Sequence, residues 1–131
     1  MDPTEILARK LDAHPQLRYE RVAGGIQIEP TDGRGFAIRL EAHDGGWLVW
    51  FGDGGMHEPF DTAEDALEFV AFGLSDTCRL REIALPFLHR SVVERSDGGS
   101  WRLVYEVGRV ASPFRLSRSE AIFQNTLITG G

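Results

Sequence analysis

The sequence predicts an α+β fold: a strongly twisted antiparallel sheet of about five to seven strands, with two or three helices mainly on one face. Three features carry that expectation. Short runs of β-branched and aromatic residues alternate with glycine-rich turns, the pattern of hairpins. Residues 61–74 place apolar side chains at helical spacing behind a capping signal. Finally, the order strand, Asp-Gly-Gly turn, strand, loop, capped helix in the first half recurs more faintly in the second.

The chain opens on a helix start. Asp2 is placed as N-cap, Pro3 at the first helical position and Glu5 as the residue reaching back to the cap. Ile6, Leu7 and Leu11 give an apolar stripe, and His14-Pro15 ends the segment at about residue 13. Residues 17–29 read as a hairpin about Gly24-Gly25, followed by a turn at 31–35. Phe36, Ile38 and Leu40 alternate with Ala37, Arg39 and Glu41, a strand with one wet face. His43-Asp44-Gly45-Gly46 turns the chain into Trp47-Leu48-Val49-Trp50-Phe51, which has no polar side. Such a strand is expected to be covered on both faces, or by a partner chain.

After the glycine loop at 52–55, either Asp61 with Glu64 or Thr62 with Asp65 caps the second helix. Ala63, Leu67, Val70 and Leu74 form its main stripe, and Gly73 reads as a left-handed stop. Residues 78–85 read as a strand ended by Pro86. A hairpin follows, 88–96 with 100–107 about Asp97-Gly98-Gly99, and a closing helix is expected at 117–126.

The internal similarity aligns Asp44 with Asp97, Trp47 with Trp101, Pro59 with Pro113 and Glu64-Asp65-Ala66 with Ser119-Glu120-Ala121. It suggests a pseudo-repeat of β-hairpin plus helix. Similar demands on two tight turns explain the similarity equally well. The order helix, antiparallel strands, helix, two strands, helix resembles that of small acidic secretion chaperones, a likeness of order and size without a shared motif.

Composition bounds the function. The 131 residues suit a single domain, 1–131, and 42% hydrophobic residues furnish a core. Net charge is −6, with 6 basic and 13 acidic side chains in residues 1–66 and 8 and 7 in residues 67–131. An acidic first half argues against nucleic acid as partner. No apolar run approaches a membrane span and the first residues lack a signal-peptide pattern, so the expectation is a soluble cytoplasmic protein without a membrane partner. A single cysteine, Cys78, excludes an internal disulfide.

Chemistry-bearing groups are sparse. Asp53, His57 and Glu58 are metal-ligand types on the 53–58 loop, yet solvated loop residues explain them. His43 lies about 17 Å away along the intervening strand at ~3.3 Å per residue. Cys78 is expected to be buried and inert, with Arg79 on the opposite face. The loop Gly52-Asp53-Gly54-Gly55 carries acid and no Lys-Ser/Thr, which opposes phosphate binding. The terminal Gly130-Gly131 matches the tails of ubiquitin-like carriers over two residues only. No cofactor and no metal are expected.

The main signal is apolar surplus around the central strand and its following helix. It predicts a non-catalytic binding or adaptor protein, a homodimer with a protein or peptide partner, acting through Trp47, Trp50, Phe69 and Phe72. The alternative is a small-ligand binder or enzyme with a pocket between sheet and helix, lined by Trp50, His57, Arg79, Arg81 and His89, with a metal at the 53–58 loop as an option within that alternative.

Overall fold

A computed structural model describes residues 2–30, 32–52, 56–110 and 118–125. Helix α1 (Pro3–Asp12) starts as its sequence dictates: Thr4 N donates to Asp2 Oδ1 at 2.9 Å. Glu5 does not close a capping box, because its carboxylate pairs with Arg21 at 2.7 Å. Five strands then run antiparallel in chain order: β1 (Arg18–Val22), β2 (Gly25–Glu29), β3 (Ile38–His43), β4 (Gly46–Phe51) and β5 (Met56–Phe60). Helix α2 (Ala63–Leu74) follows, capped by Thr62, whose Oγ1 accepts from Asp65 N at 3.2 Å. A second sheet, order β8-β7-β6-β9, is built from β6 (Cys78–Leu85), β7 (Leu88–Asp97), β8 (Ser100–Val110) and β9 (Ser119–Phe123).

The architecture is thus α+β with antiparallel sheets, but two sheets replace the one expected. The closing helix expected at 117–126 is strand β9 over its described part, so no second hairpin-plus-helix unit is seen among the described residues. Ser119 and Glu120, which resemble a cap, instead pair with Ala84 and Ile83 of β6. Residues 56–60, expected as loop, form edge strand β5, where Pro59 leaves no central ladder bond unmade. Among the described residues no helix is long and apolar enough to cross a membrane.

Alternation assigns the faces. On the first sheet Ile26, Ile28, Ile38, Leu40, Val49, Phe51 and Met56 share the buried face against the helices. Phe69 of α2 stacks on Phe51 at 4.5 Å and 1° and meets Tyr105 of the second sheet edge-on at 5.3 Å. Each such ring pair contributes about 1 kcal/mol beyond its burial. Gly73 does not stop α2. It lies inside the last turn, where an added Cβ would come 2.5 Å from the Phe51 ring; glycine lets helix and strand approach. The second face of β4 is only partly covered: Leu48 is buried there. Trp50 stands there half-buried, its Nε1 donating to Glu41 at 2.9 Å and its ring 4.3 Å from His57.

Candidate functional site

The site candidate lies where the inner face of the second sheet meets the β3 and β4 ends of the first. Register builds it. Leu85 pairs with Leu88 across the two-residue turn, so Ala84 faces His89 and Glu82 faces Ser91. One strand further, His89 pairs with Arg109 of β8; on the other side Glu82 pairs with Ala121 of β9. By alternation, all of these point inward with Leu80, Val93 and Phe123. The opposite wall is Gly35, Phe36, Ala37 and Gly52, and together they enclose a cleft of about 350 Å³.

Glu82 is its electrostatic centre. Oε2 accepts hydrogen bonds from His89 Nε2 and, at 2.7 Å, from Ser91 Oγ. Oε1 is buried and has no hydrogen-bond partner among the described residues. Gly52 makes the approach of the sheets feasible. Its φ is +70°, and a Cβ there would lie 2.7 Å from Leu80 Cδ2 and 3.8 Å from Glu82 Oε1. Asn125 fixes the far wall, bonding the backbone of Phe36 through both its amide atoms.

This trio is not a nucleophilic triad. Ser91 is fully buried and its hydroxyl donates to the carboxylate, so no substrate carbonyl reaches it. Cys78 is buried, which pushes its thiol up to about 12 despite the charge of Arg95. At neutral pH it carries no thiolate to attack with.

The residues singled out from sequence are distributed over separate surfaces. His89 alone lines the cleft. Trp50 and His57 stack on the open face of the first sheet. Trp47 and Phe72 are half-buried against the core, and Phe69 is buried in it. Arg79 and Arg81 point out from the far side of the second sheet, into an ion-pair lattice. Arg79 pairs with Glu94 at 2.7 Å and lies 4.3 Å over the Trp101 ring, while Arg81 bridges Glu94 and Glu120. That partnership holds the Glu120 carboxyl below its ordinary value. The five residues of the expected pocket therefore lie on different faces of the two sheets.

Of the metal-ligand types, Asp53 lies outside the described residues, as do Gly54, Gly55, Pro113 and Gly130-Gly131. His57 and Glu58 project from opposite faces of β5 and do not converge. Glu58 turns toward the core side, where burial raises its carboxyl above the ordinary range. A second cavity, about 320 Å³, lies between α1 and α2 and is walled by Leu7, Leu11, Leu67 and Leu74. Its lining offers no convergent polar groups beyond Lys10 and His14 at one end.

Sequence inspection did not find Glu82, Ser91 or Arg109. The signal was available: a two-residue turn at Pro86-Phe87 fixes the register, and pairs summing to 173 put Glu82 opposite Ser91.

No protein-family model matches the chain, no curated protein matches it, and no solved structure matches it. Function is therefore argued from the geometry alone.

Proposed function

We propose that the chain is a non-catalytic binding protein that takes a small cationic or N–H-bearing ligand in the inter-sheet cleft. One observation carries this reading: Glu82 Oε1 lies buried at the cleft wall without a hydrogen-bond partner among the described residues. An unpaired buried acceptor costs on the order of 1–3 kcal/mol, more when charged, and a ligand donor relieves that cost on binding. The cleft volume suits a metabolite rather than a peptide. Phe36 and Phe123 supply apolar contact, and the carboxylate supplies orientation.

The test is thermal denaturation of the full chain with n-butylammonium and with methylguanidinium. The expected result is a rise in melting temperature that Glu82→Gln abolishes, with circular dichroism establishing that this variant folds. No rise with either cation, or an equal rise in the variant, overturns the reading.

A second reading is a homodimeric adaptor. It is favoured by exposed apolar residues of the second sheet: Leu103 and Ile122 are 60% and 53% exposed, and Phe87 and Val110 63% and 90%. Sedimentation equilibrium tests it. A dimer that Leu103→Asp dissociates supports it, and a monomer at micromolar concentration removes it.

A further inference from the structure

We infer that the ligand of the cleft is a zwitterion, an amino-acid-like molecule whose ammonium meets Glu82 and whose carboxylate meets Arg109; this rests on the reading proposed above. The observation behind it is the state of the arginines on β6, β7 and β8. Arg79, Arg81, Arg90 and Arg102 each pair with an acid, and Arg95 lies 4.4 Å over the Phe72 ring. Arg109 has no ion pair among the described residues, and it lines the cleft. Among the described residues, that wall thus holds a buried carboxylate oxygen without a hydrogen-bond partner and an exposed guanidinium without an ion pair.

Their placement is complementary to a molecule carrying both charges. Arg109, His89 and Glu82 lie on three successive strands of one sheet face. Two strand spacings put the backbones of Glu82 and Arg109 on the order of 10 Å apart, and both side chains reach inward. His89 sits between them and already donates to Glu82, so the two charges stay apart without neutralising each other. A guanidinium offers a fork of donors that fits a carboxylate. Phe36, Ala121 and Phe123 leave an apolar stretch for a hydrocarbon segment between the ligand's ends. A simple amine leaves Arg109 unused; a simple acid meets the charge of Glu82.

Isothermal titration of the full chain tests this with matched probes: leucine, isoamylamine and 4-methylvalerate for the α-amino spacing, and γ-aminobutyrate, n-propylamine and butyrate for the longer one. The expected result is that one zwitterion binds at least about tenfold tighter than its matched amine and acid. Arg109→Gln and Glu82→Gln each weaken it about tenfold to a hundredfold, the range for losing a charge-assisted hydrogen bond. Circular dichroism and melting temperature verify that both variants fold. If the amines bind as well as the zwitterions, need Glu82 and are indifferent to Arg109→Gln, the zwitterion is overturned and the carboxylate cleft stands. If no probe binds, or binding survives Glu82→Gln, both are overturned.

Discussion

Asn125 closes a two-bond ring on the backbone of Phe36. Its Oδ1 accepts from Phe36 N at 3.1 Å and its Nδ2 donates to Phe36 O at 3.1 Å. The same Nδ2 donates to Gly73 O at 3.1 Å, so one buried amide ties the first sheet, the end of α2 and the strand leaving the second sheet. Beside it, Gln124 N donates to Arg34 O at 2.7 Å and Gln124 Nε2 to Asp76 O at 2.6 Å. This knot holds the wall of the cleft that Phe36 forms.

Replacing Asn125 with Ala removes the partners of three backbone groups in a dry place. The expected loss is about 3 kcal/mol, taking roughly 1 kcal/mol for each buried group left unsatisfied. Urea unfolding measures it as a lower midpoint with an unchanged slope. A loss below about 0.5 kcal/mol, the range of an ordinary surface change, shows that the knot is not structural.

Phe87 sits at φ +68°, in the left-handed region that suits glycine and costs a bulky side chain about 1 kcal/mol or more. Pro86 before it makes the two-residue turn with positive φ at its second position. The ring is 63% exposed and secures little packing in return. Phe87→Gly is therefore expected to raise stability by about 1 kcal/mol less the entropy cost of glycine, read as a higher melting temperature. An unchanged or lower melting temperature shows that Phe87 makes a compensating contact.

Cys78 titrates at about 12 in the fold and at 9.0 when exposed, because burial favours the neutral thiol. Below the lower value both states keep the proton and the stability is full. As pH rises from there through about 12, only the unfolded chain ionises, so stability is lost. Urea midpoints measured across that alkaline range should fall more steeply for the wild type than for Cys78→Ala. Parallel curves contradict the burial of the thiol, as does rapid alkylation of the native protein.

Gly52 carries a double demand, positive φ and close approach to Leu80. Gly52→Ala is expected to cost about 1–2 kcal/mol from the left-handed backbone alone. The buried Leu80 methyl must also shift to admit the new Cβ, which adds a steric share. Thermal unfolding checks it, and a neutral result means the sheets meet less tightly at this point.

What the sequence disclosed follows from how local each signal is. The hairpins about Gly24-Gly25, Asp44-Gly45 and Gly98-Gly99 were legible because positive φ is written in the residues themselves. The start of α1 was legible from its capping side chain Asp2 and Pro3, and the α2 cap to within the two choices Asp61 and Thr62, of which Thr62 caps. Strand β5 was not, since Pro59 and a polar His57-Glu58 pair read as loop until an edge position accommodates them. Strand β9 was misread because Ser119-Glu120-Ala121 has the residue types of a helix start, and only pairing with β6 decides otherwise. Gly73 looked like a terminator, although its missing side chain serves contact with Phe51. The two-sheet division is non-local altogether: nothing in Cys78–Leu85 says which sheet it joins. The cleft combines both problems, because its residues come from β6, β7, β8 and β9 facing two loops of the other sheet.

The cleft's proposed function rests on ligand capture by the Glu82 carboxylate, whose Oε1 is buried and has no hydrogen-bond partner among the described residues. The most direct measurement of that capture is a ¹H–¹⁵N correlation spectrum of the full chain titrated with n-butylammonium. Saturable shifts centred on Gly35, Ala37, Gly52 and Ala121, absent in Glu82→Gln, are what the account predicts. Shifts centred instead on Leu7, Leu11 and Leu67 between the helices, or no saturable shift at all, contradict it.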